Sequence, residues 1–231
     1  MDGPFLFVSG IGTEIGKTVV TAAIAATALA GGRSVAVLKP AQTGLTADQP
    51  GDVAEVVRLA GPLTGRELAR YPDPLAPATA ARRAGLPSVG PAEIAKSAEA
   101  LAEDHDLVLV EGAGGLLVWF DEGGSTLADA ARRLDAPVLV VTTAGLGTLN
   151  TTALTVEALR ARRLVCPGVV IGSWPHRPDL AARCNLDDLP RVADAPLLGA
   201  IPAGAGALPP DAFRARAPGW LTPPLGGRRP H

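Results

Sequence analysis

The chain has 231 residues, of which 47% are hydrophobic and 19% charged, a composition typical of one soluble domain and unlike that of a disordered chain. Its 21 basic and 23 acidic residues leave a net charge of −2, so the bulk charge excludes nucleic-acid binding driven by an excess of positive charge. Gly, Pro or a charged residue interrupts every apolar run before it reaches the ~18 residues of a membrane span. The first residues do not resemble a signal peptide. The two cysteines show neither a disulfide nor a zinc-binding pattern, which suits a reducing compartment. We therefore expect a cytoplasmic protein that binds neither membrane nor nucleic acid.

Short runs rich in Val, Leu and Ile recur along the chain with helix-like segments between them. The runs predict strands at 5–9, 34–38, 106–110, 137–142, 168–171 and 197–201, and Ala- and Leu-rich segments predict helices at 18–30, 91–103, 126–134 and 148–162. Strands that are apolar throughout are covered on both faces, and alternation with helices favours parallel pairing. We predict a single-domain α/β fold with a mostly parallel β-sheet flanked by helices on both faces.

The expected domain spans 1–217 and is followed by a tail at 218–231, whose Pro, Gly and Arg content predicts flexibility. The segments 45–51 and 71–91 read as irregular connections between elements. Most predicted strands run into Gly- or Pro-containing turns. Because parallel strands end at one edge of the sheet, we expect these turns to form a shared ligand-binding edge.

A phosphate-binding loop follows the first predicted strand. Its sequence is Gly10-Ile11-Gly12-Thr13-Glu14-Ile15-Gly16-Lys17-Thr18, and a helix follows directly. Backbone N–H groups of such a loop bind phosphate oxygens, the lysine neutralises the β/γ charge, and the threonine hydroxyl is a Mg²⁺ ligand. The loop is one residue longer than the usual GxxxxGK[ST] pattern. Its position between strand and helix predicts a P-loop NTPase-like fold rather than a chance Gly-Lys-Thr.

Two carboxylates and a second lysine are candidates for the same edge. Glu111 ends a buried strand at the position of a Walker B acid, which packing explains poorly. Asp52 is either a second metal ligand or a helix N-cap. Lys39, one of only three lysines, ends the second predicted strand and is either a second cation beside Lys17 or a surface lysine.

These motifs together resemble the dethiobiotin synthetase family. The resemblance rests on the loop from Gly10 to Thr18, on Lys39-Pro40 with Thr43-Gly44, on Glu111-Gly112-Ala113-Gly114-Gly115, and on Leu146-Gly147-Thr148-Leu149-Asn150, in order over residues 5 to 203. It implies a homodimer that uses Mg²⁺ and a nucleoside triphosphate to convert 7,8-diaminononanoate and CO₂ into a cyclic urea, in biotin biosynthesis.

The resemblance also implies residue roles. Lys17 would hold the β/γ-phosphates, Lys39 the carbamate and the transferring phosphoryl group, and Thr13 and Thr43 would hydrogen-bond the carbamate and the diamine. Thr18, Asp52 and Glu111 would hold Mg²⁺, and Gly147 and Asn150 would bind substrate in the neighbouring subunit's site. The implied nucleotide-binding set is Thr13, Glu14, Ile15, Gly16, Lys17, Thr18, Val19, Asp52, Glu111, Gly112, Ala113, Gly114, Gly172, Ser173, Ile201, Pro202 and Ala203.

Two positions depart from the family pattern. Gly12 stands where many members carry Asp, so that carboxylate's contacts are missing. Gly172-Ser173-Trp174-Pro175 stands where many members have the Asn that binds the adenine edge, and the shorter Ser173 has no amide. We therefore hypothesise relaxed base selectivity, extending to a pyrimidine such as CTP, with the base contacted by backbone near Gly172 and 201–203.

A ParA- or MinD-type ATPase, or another P-loop ATPase with a regulatory or positioning role, is the rival interpretation. That class carries a signature lysine five residues before the P-loop lysine, where this chain has Gly12. The related amidotransferase-type synthetases normally carry a fused glutaminase, for which 231 residues leave no room.

Overall fold

Seven strands and eight α-helices make up the fold in the computed structural model, which describes residues 3–228. The strands are β1 (Phe5–Gly10), β2 (Val35–Thr43), β3 (Thr64–Tyr71), β4 (Leu107–Glu111), β5 (Val138–Thr142), β6 (Val169–Trp174) and β7 (Leu197–Pro202). The helices are α1 (Lys17–Ala30), α2 (Asp52–Ala60), α3 (Pro77–Ala84), α4 (Pro91–Ala102), α5 (Leu127–Arg133), α6 (Thr148–Ala161), α7 (Leu180–Ala193) and α8 (Pro210–Arg216).

All strand pairs are parallel, in the order β3-β2-β4-β1-β5-β6-β7. The predicted α/β class and parallel sheet are confirmed. β1 lies at the centre between β4 and β5, so the loop that follows it is surrounded by other strand ends. No helix among residues 3–228 has the length and hydropathy needed to cross a lipid bilayer.

A hydrophobic core lies on each face of the sheet. Phe7 of β1 points into the core shared with α3 to α7, whereas Leu6 and Val8 point into the core shared with α1, α2 and α8. All three side chains are fully buried. This alternation is the two-residue period of a strand covered on both sides, and it explains why the central strands are apolar throughout.

Strand β3 was not predicted. Its sequence is Thr-Gly-Arg-Glu-Leu-Ala-Arg-Tyr, and only Tyr71 at its end is buried. It lies at the edge of the sheet, where polar side chains are common because one side is open. The predicted irregular connection at 71–91 was also wrong in part, because it contains α3, which begins with Pro77 at its first turn.

The second strand is longer than predicted. Its pairing with β4 ends at Leu38 and Val110, but its pairing with β3 continues from Lys39 to Thr43. Lys39 therefore lies inside β2 rather than at its end, at the point where β4 stops and a space opens beside the strand. Similarly, Ser173 lies inside β6, which runs on to Trp174.

The boundary predicted at residue 218 does not separate the core from a free tail within the described residues. Leu221 and Leu225 are 1% and 4% exposed and belong to the core beneath α1. The Thr222 amide donates to the Leu198 carbonyl at 2.9 Å, which ties this segment to β7. The predicted tail also includes 229–231, which lie outside the described residues.

Candidate active site

A cavity of about 830 Å³ lies at the carboxyl edge of the sheet, where β1, β2 and β4 end. The P-loop, the end of β2 with its following loop, the turn after β4 and the segment before α3 surround it. Its lining residues are Thr13, Glu14, Gly16, Lys17, Thr18, Val19, Lys39, Ala41, Gln42, Thr43, Gly44, Leu45, Asp52, Pro74, Leu75, Ala76, Pro77, Glu111, Ala113, Gly114 and Val118.

The P-loop owes its path to a close backbone contact with β6. Gly16 has φ 92°, a left-handed conformation that favours glycine, and α1 begins at the next residue. A Cβ on Gly16 would lie 2.4 Å from the Gly172 carbonyl oxygen, and a Cβ on Gly172 would lie 2.0 Å from the Ile15 carbonyl oxygen. Both contacts are too short for a side chain. The absence of a side chain at Gly172 therefore allows the P-loop backbone to pack directly against β6.

Lys39 is the centre of a buried charge cluster. Its Nζ atom lies 2.9 Å from Glu111 Oε1, 2.5 Å from Asp52 Oδ2 and 3.0 Å from the Gly112 carbonyl oxygen. Lys39 is 4% exposed and Glu111 1%, so the pair is shielded from water, while Asp52 is about one-third exposed. A surface lysine is thereby excluded for Lys39.

The two lysines differ in pKa. Burial lowers the pKa of Lys17 from 10.5 to about 8; the positive charge of Lys39 acts in the same direction, and the carboxylates of Glu111 and Asp52 oppose it. Burial also acts to lower the pKa of Lys39, but the adjacent Glu111 and Asp52 carboxylates together outweigh it, and the pKa is raised. Lys17 donates instead to the Gly12 carbonyl oxygen at 2.7 Å.

The residues suit a divalent cation with oxygen ligands. Thr18 Oγ1 donates to Glu111 Oε1 at 2.9 Å, which brings the P-loop hydroxyl and the acid together. The other carboxylate oxygen, Glu111 Oε2, is buried and has no hydrogen-bond partner in the described part of the chain. Residues 3–228 contain no group of three or more His, Cys, Asp or Glu side chains able to hold a metal. One hydroxyl and two carboxylates nevertheless fit Mg²⁺, which takes the rest of its ligands from phosphates and water.

Asp52 is positioned by the start of α2 and by a neighbour that the sequence did not indicate. The N-cap of α2 is Gly51, and Asp52 is the first helical residue, so the alternative that Asp52 is an N-cap is wrong. The Asp52 amide donates to Gln42 Oε1 at 2.8 Å. Gln42 is buried in β2, three residues beyond Lys39.

Comparison with known proteins identifies the family. A family described as an AAA domain matches residues 5–208. The ATP-dependent dethiobiotin synthetase BioD of Streptomyces avermitilis is 71% identical over 96% of this chain and 93% of its own length. The protein of that name from Mycobacteroides abscessus is 50% identical over 90% of this chain and 91% of its own. The chain belongs to the dethiobiotin synthetase family. It is an ATP-dependent ligase that forms carbon–nitrogen bonds.

Solved structures of other P-loop proteins share the family's fold. MinD of Pyrococcus furiosus has a TM-score of 0.57 and 20% identity, covering 93% of this chain and 97% of its own. A ParA family ATPase from Chlorobium tepidum has a TM-score of 0.57 and 13% identity, covering 98% and 97%. At these identities the likeness shows the fold alone. The dethiobiotin synthetase relatives support the ligase over the ParA- or MinD-type rival.

The cavity gathers most of the residues expected from the family resemblance. Those that line it are Thr13, Glu14, Gly16, Lys17, Thr18, Val19, Lys39, Thr43, Asp52, Glu111, Ala113 and Gly114. Those that do not are Ile15, Gly112, Gly147, Asn150, Gly172, Ser173, Ile201, Pro202 and Ala203. Gly112 acts through its carbonyl on Lys39, and Ile15 and Gly172 contact one another behind the P-loop.

The expected base-binding segments meet beside β6 and β7. The Ala203 amide donates to the Trp174 carbonyl oxygen at 2.7 Å, so this N–H is already used. Ser173 is exposed and Ile201 is fully buried. Gly147 and Asn150 are exposed at the start of α6, and neither lines the cavity of its own chain.

The wall formed by Pro74, Leu75, Ala76 and Pro77 was missed by sequence reasoning. Gly44 holds it in place, because its amide lies 3.0 Å from the carbonyl oxygens of both Tyr71 and Asp73. None of these wall residues has a side chain that carries chemistry. The one available signal in the sequence was that the segment is rich in proline. Had the strand before it, β3, been predicted, the segment would have been expected at the edge of the sheet where ligands bind.

Proposed function

We propose that this chain converts 7,8-diaminononanoate and CO₂ to dethiobiotin in the cavity beside the P-loop, with ATP as phosphoryl donor. The observation that carries the proposal is the convergence of Lys17, Lys39, Thr18 and two carboxylates on one space. The cavity of about 830 Å³ is within the range of small-molecule sites and extends past the P-loop toward the Pro74–Pro77 wall. That extension supports a second substrate beside the triphosphate.

The reaction has three steps. One amine adds to CO₂ and loses a proton, giving a carbamate. A carbamate oxygen attacks the γ-phosphorus, and the bond to the bridging oxygen breaks to release ADP. The second amine then attacks the carbonyl carbon, the ring closes with loss of a proton, and phosphate leaves. Negative charge accumulates on neighbouring oxygens throughout, so positioning and electrostatic stabilisation are the main tasks of the protein.

The two lysines supply the positive charge for these steps. Lys17, with a pKa of about 8, is mostly charged at neutral pH and has no carboxylate partner among residues 3–228, so phosphate oxygens are well suited to pair with it. The raised pKa of Lys39 keeps that side chain charged next to the space where the carbamate would form. Thr13 and Thr43 line the same space and can donate hydroxyl hydrogen bonds to the carbamate and the diamine.

Thr18, Asp52 and Glu111 are the residues that would hold Mg²⁺. Bound there, Mg²⁺ would neutralise charge on the β- and γ-phosphates. The buried, unpartnered Glu111 Oε2 supports this assignment, because a buried carboxylate oxygen needs a compensating partner.

We also propose a homodimer, and the position of Gly147 and Asn150 supports it. Both are exposed and lie outside their own cavity, which supports a role in the partner subunit's site. Leu146, next to them, is 94% exposed, and a large apolar side chain this exposed at such a tip favours an interface. Sedimentation velocity should show a dimer, and a monomer at micromolar concentration would contradict it.

The nucleotide preference is part of the proposal. Ser173 is exposed and carries one hydroxyl instead of an amide, which supports relaxed selectivity that extends to CTP. Calorimetric titration with ATP, GTP and CTP tests this. A preference for ATP of about tenfold or more, ~1.4 kcal/mol, would refute it.

The deciding experiment measures phosphate release with and without 7,8-diaminononanoate in bicarbonate buffer. We expect release to depend on the diamine and dethiobiotin to form in equal amount. A monoamine analogue is the matched control, because it can form a carbamate but lacks the second nucleophile. Release of phosphate that does not depend on the diamine would count against the ligase.

We also propose a cytoplasmic location, consistent with the free thiols of Cys166 and Cys184, which cell fractionation would test.

A further inference from the structure

We infer that Asn185 is a positioning residue that fixes the start of α6, and through it Asn150, for the partner subunit's diamine. Asn185 lies on α7, is 5% exposed and touches no part of the cavity. The inference rests on the proposed function, because it needs Asn150 to contact substrate across the dimer. It assigns a task to a buried polar side chain that the reaction itself does not use.

The amide of Asn185 binds two consecutive carbonyls of the β5–α6 connection. Its Nδ2 atom lies 2.8 Å from the Ala144 oxygen and 3.1 Å from the Gly145 oxygen. Both hydrogens of one –NH₂ group are thus directed at the backbone immediately before α6. The Gly145 carbonyl also accepts from the Thr148 amide at 3.3 Å, so the clamp reaches the first helical residue.

A second anchor holds the same turn from inside. Thr142, the last residue of β5, has its Oγ1 atom 2.6 Å from Thr148 Oγ1 and 2.6 Å from Thr152 Oγ1. The three threonines are at most 2% exposed. They tie the first turn of α6 to the strand, so the connection is held from α7 on one side and from β5 on the other.

The connection projects outward at Leu146, which is 94% exposed, and at Gly147, which has φ 93°. Asn150, in the first turn of α6, is also exposed. An exposed tip of this kind would ordinarily be mobile, because few contacts restrain it. Fixing it in advance lowers the entropy cost of binding a ligand there, and small displacements of a positioning group cost much in turnover. A tip that serves another subunit's site therefore needs this buried support.

Asn185→Asp is the most direct test. The side chain keeps nearly the same shape, but a carboxylate oxygen replaces the –NH₂ donor and faces the two carbonyl oxygens. We expect the KM for 7,8-diaminononanoate to rise about tenfold, with the Kd for Mg·ATP within about twofold of wild type. Asn185→Ala, which removes the donors without adding charge, is the second variant if the first fails to fold.

Thr222→Val is the matched control. It also deletes one hydrogen bond from a side chain to a backbone carbonyl, that of Thr222 Oγ1 to Leu198 at 3.1 Å. Leu198 packs in the core on the face of the sheet opposite to α6. Thr222→Val is expected to lower the thermal stability while the KM for the diamine stays unchanged. If the role of Asn185 were purely structural, the Asn185 variants would show the same result.

A double-variant cycle with Asn150→Ala tests whether Asn185 acts through Asn150. If it does, adding Asn185→Ala to Asn150→Ala raises the KM by less than about twofold further, because the contact is already lost. Additive effects, or a KM unchanged in a folded and active Asn185 variant, would overturn the inference and leave the ligase intact. Loss of diamine-dependent phosphate release in the wild-type protein would instead overturn the proposed function and this inference with it.

Discussion

Replacing Lys39 with Met should destabilise the protein by about 3 kcal/mol, before any question of catalysis. The change keeps the length of the side chain and removes the ammonium. Glu111, at 1% exposure, then loses the cation at 2.9 Å, and breaking a buried pair in this way costs about 3–5 kcal/mol. We take the lower end because Thr18 still donates to Glu111 Oε1 and Asp52 is exposed enough to be hydrated. Against a total of about 5–15 kcal/mol, this loss is large.

Urea unfolding at one fixed protomer concentration measures the effect, since dimerisation would otherwise change the apparent stability. The companion variants are Glu111→Gln and the double variant Lys39→Met/Glu111→Gln. The double variant should recover most of the loss, because neither buried charge then lacks its partner. The structure indicates that the pair is shielded from water. Additive effects of the two single variants, or a loss of stability under about 1 kcal/mol in Lys39→Met, would contradict this.

Gly172→Ala should weaken ATP binding at least tenfold in calorimetry, because its Cβ would lie 2.0 Å from the Ile15 carbonyl oxygen and displace the P-loop; unchanged affinity would mean that the loop can shift freely. Leu221→Ala should cost about 2–5 kcal/mol in urea unfolding, as for a buried core leucine, whereas a free tail would lose less than about 0.5. The pKa of Lys17 is about 8 in the free protein, so the fraction of neutral Lys17 rises with pH. If the phosphates bind the charged form, ATP binding should be accompanied by uptake of about 0.1 proton at pH 7 and about 0.9 at pH 9. Titrations in buffers of different ionisation enthalpy measure this uptake, and an equal value at both pH values would contradict it.

The central part of the fold was predictable because burial on both faces leaves a strong sequence signal. The strands β1, β4 and β5 are apolar at nearly every position. The edge strand β3 has no such signal, since its polar side chains are half exposed. The packing of Leu221 was hidden for a different reason: Pro and Gly around it suggest a loop, and only the tertiary contacts with β7 show that the loop is buried.

The site was predictable where residues carry chemistry and not where they only give shape. Lys39 and Glu111 were identified by their type and by their position at the ends of predicted strands, which indicated one edge of a parallel sheet. Gln42 was not identified, since a lone glutamine in a strand has no chemical pattern. Its role depends on the Asp52 amide, ten residues later, which only the folded chain brings within 2.8 Å.

Lys17 and Lys39 have the same side chain, but their surroundings favour different tasks. Lys39 has carboxylates at 2.5 Å and 2.9 Å, so its charge is already compensated and an incoming anion must share it. Lys17 is buried beside a carbonyl oxygen, and desolvation lowers its pKa to about 8. A desolvated ammonium without a carboxylate gains most from a new anion, because pairing removes the cost of its burial. Lys17 is therefore suited to hold the triphosphate in the ground state, and Lys39, held rigidly and kept charged, to stabilise the negative charge that develops during the reaction.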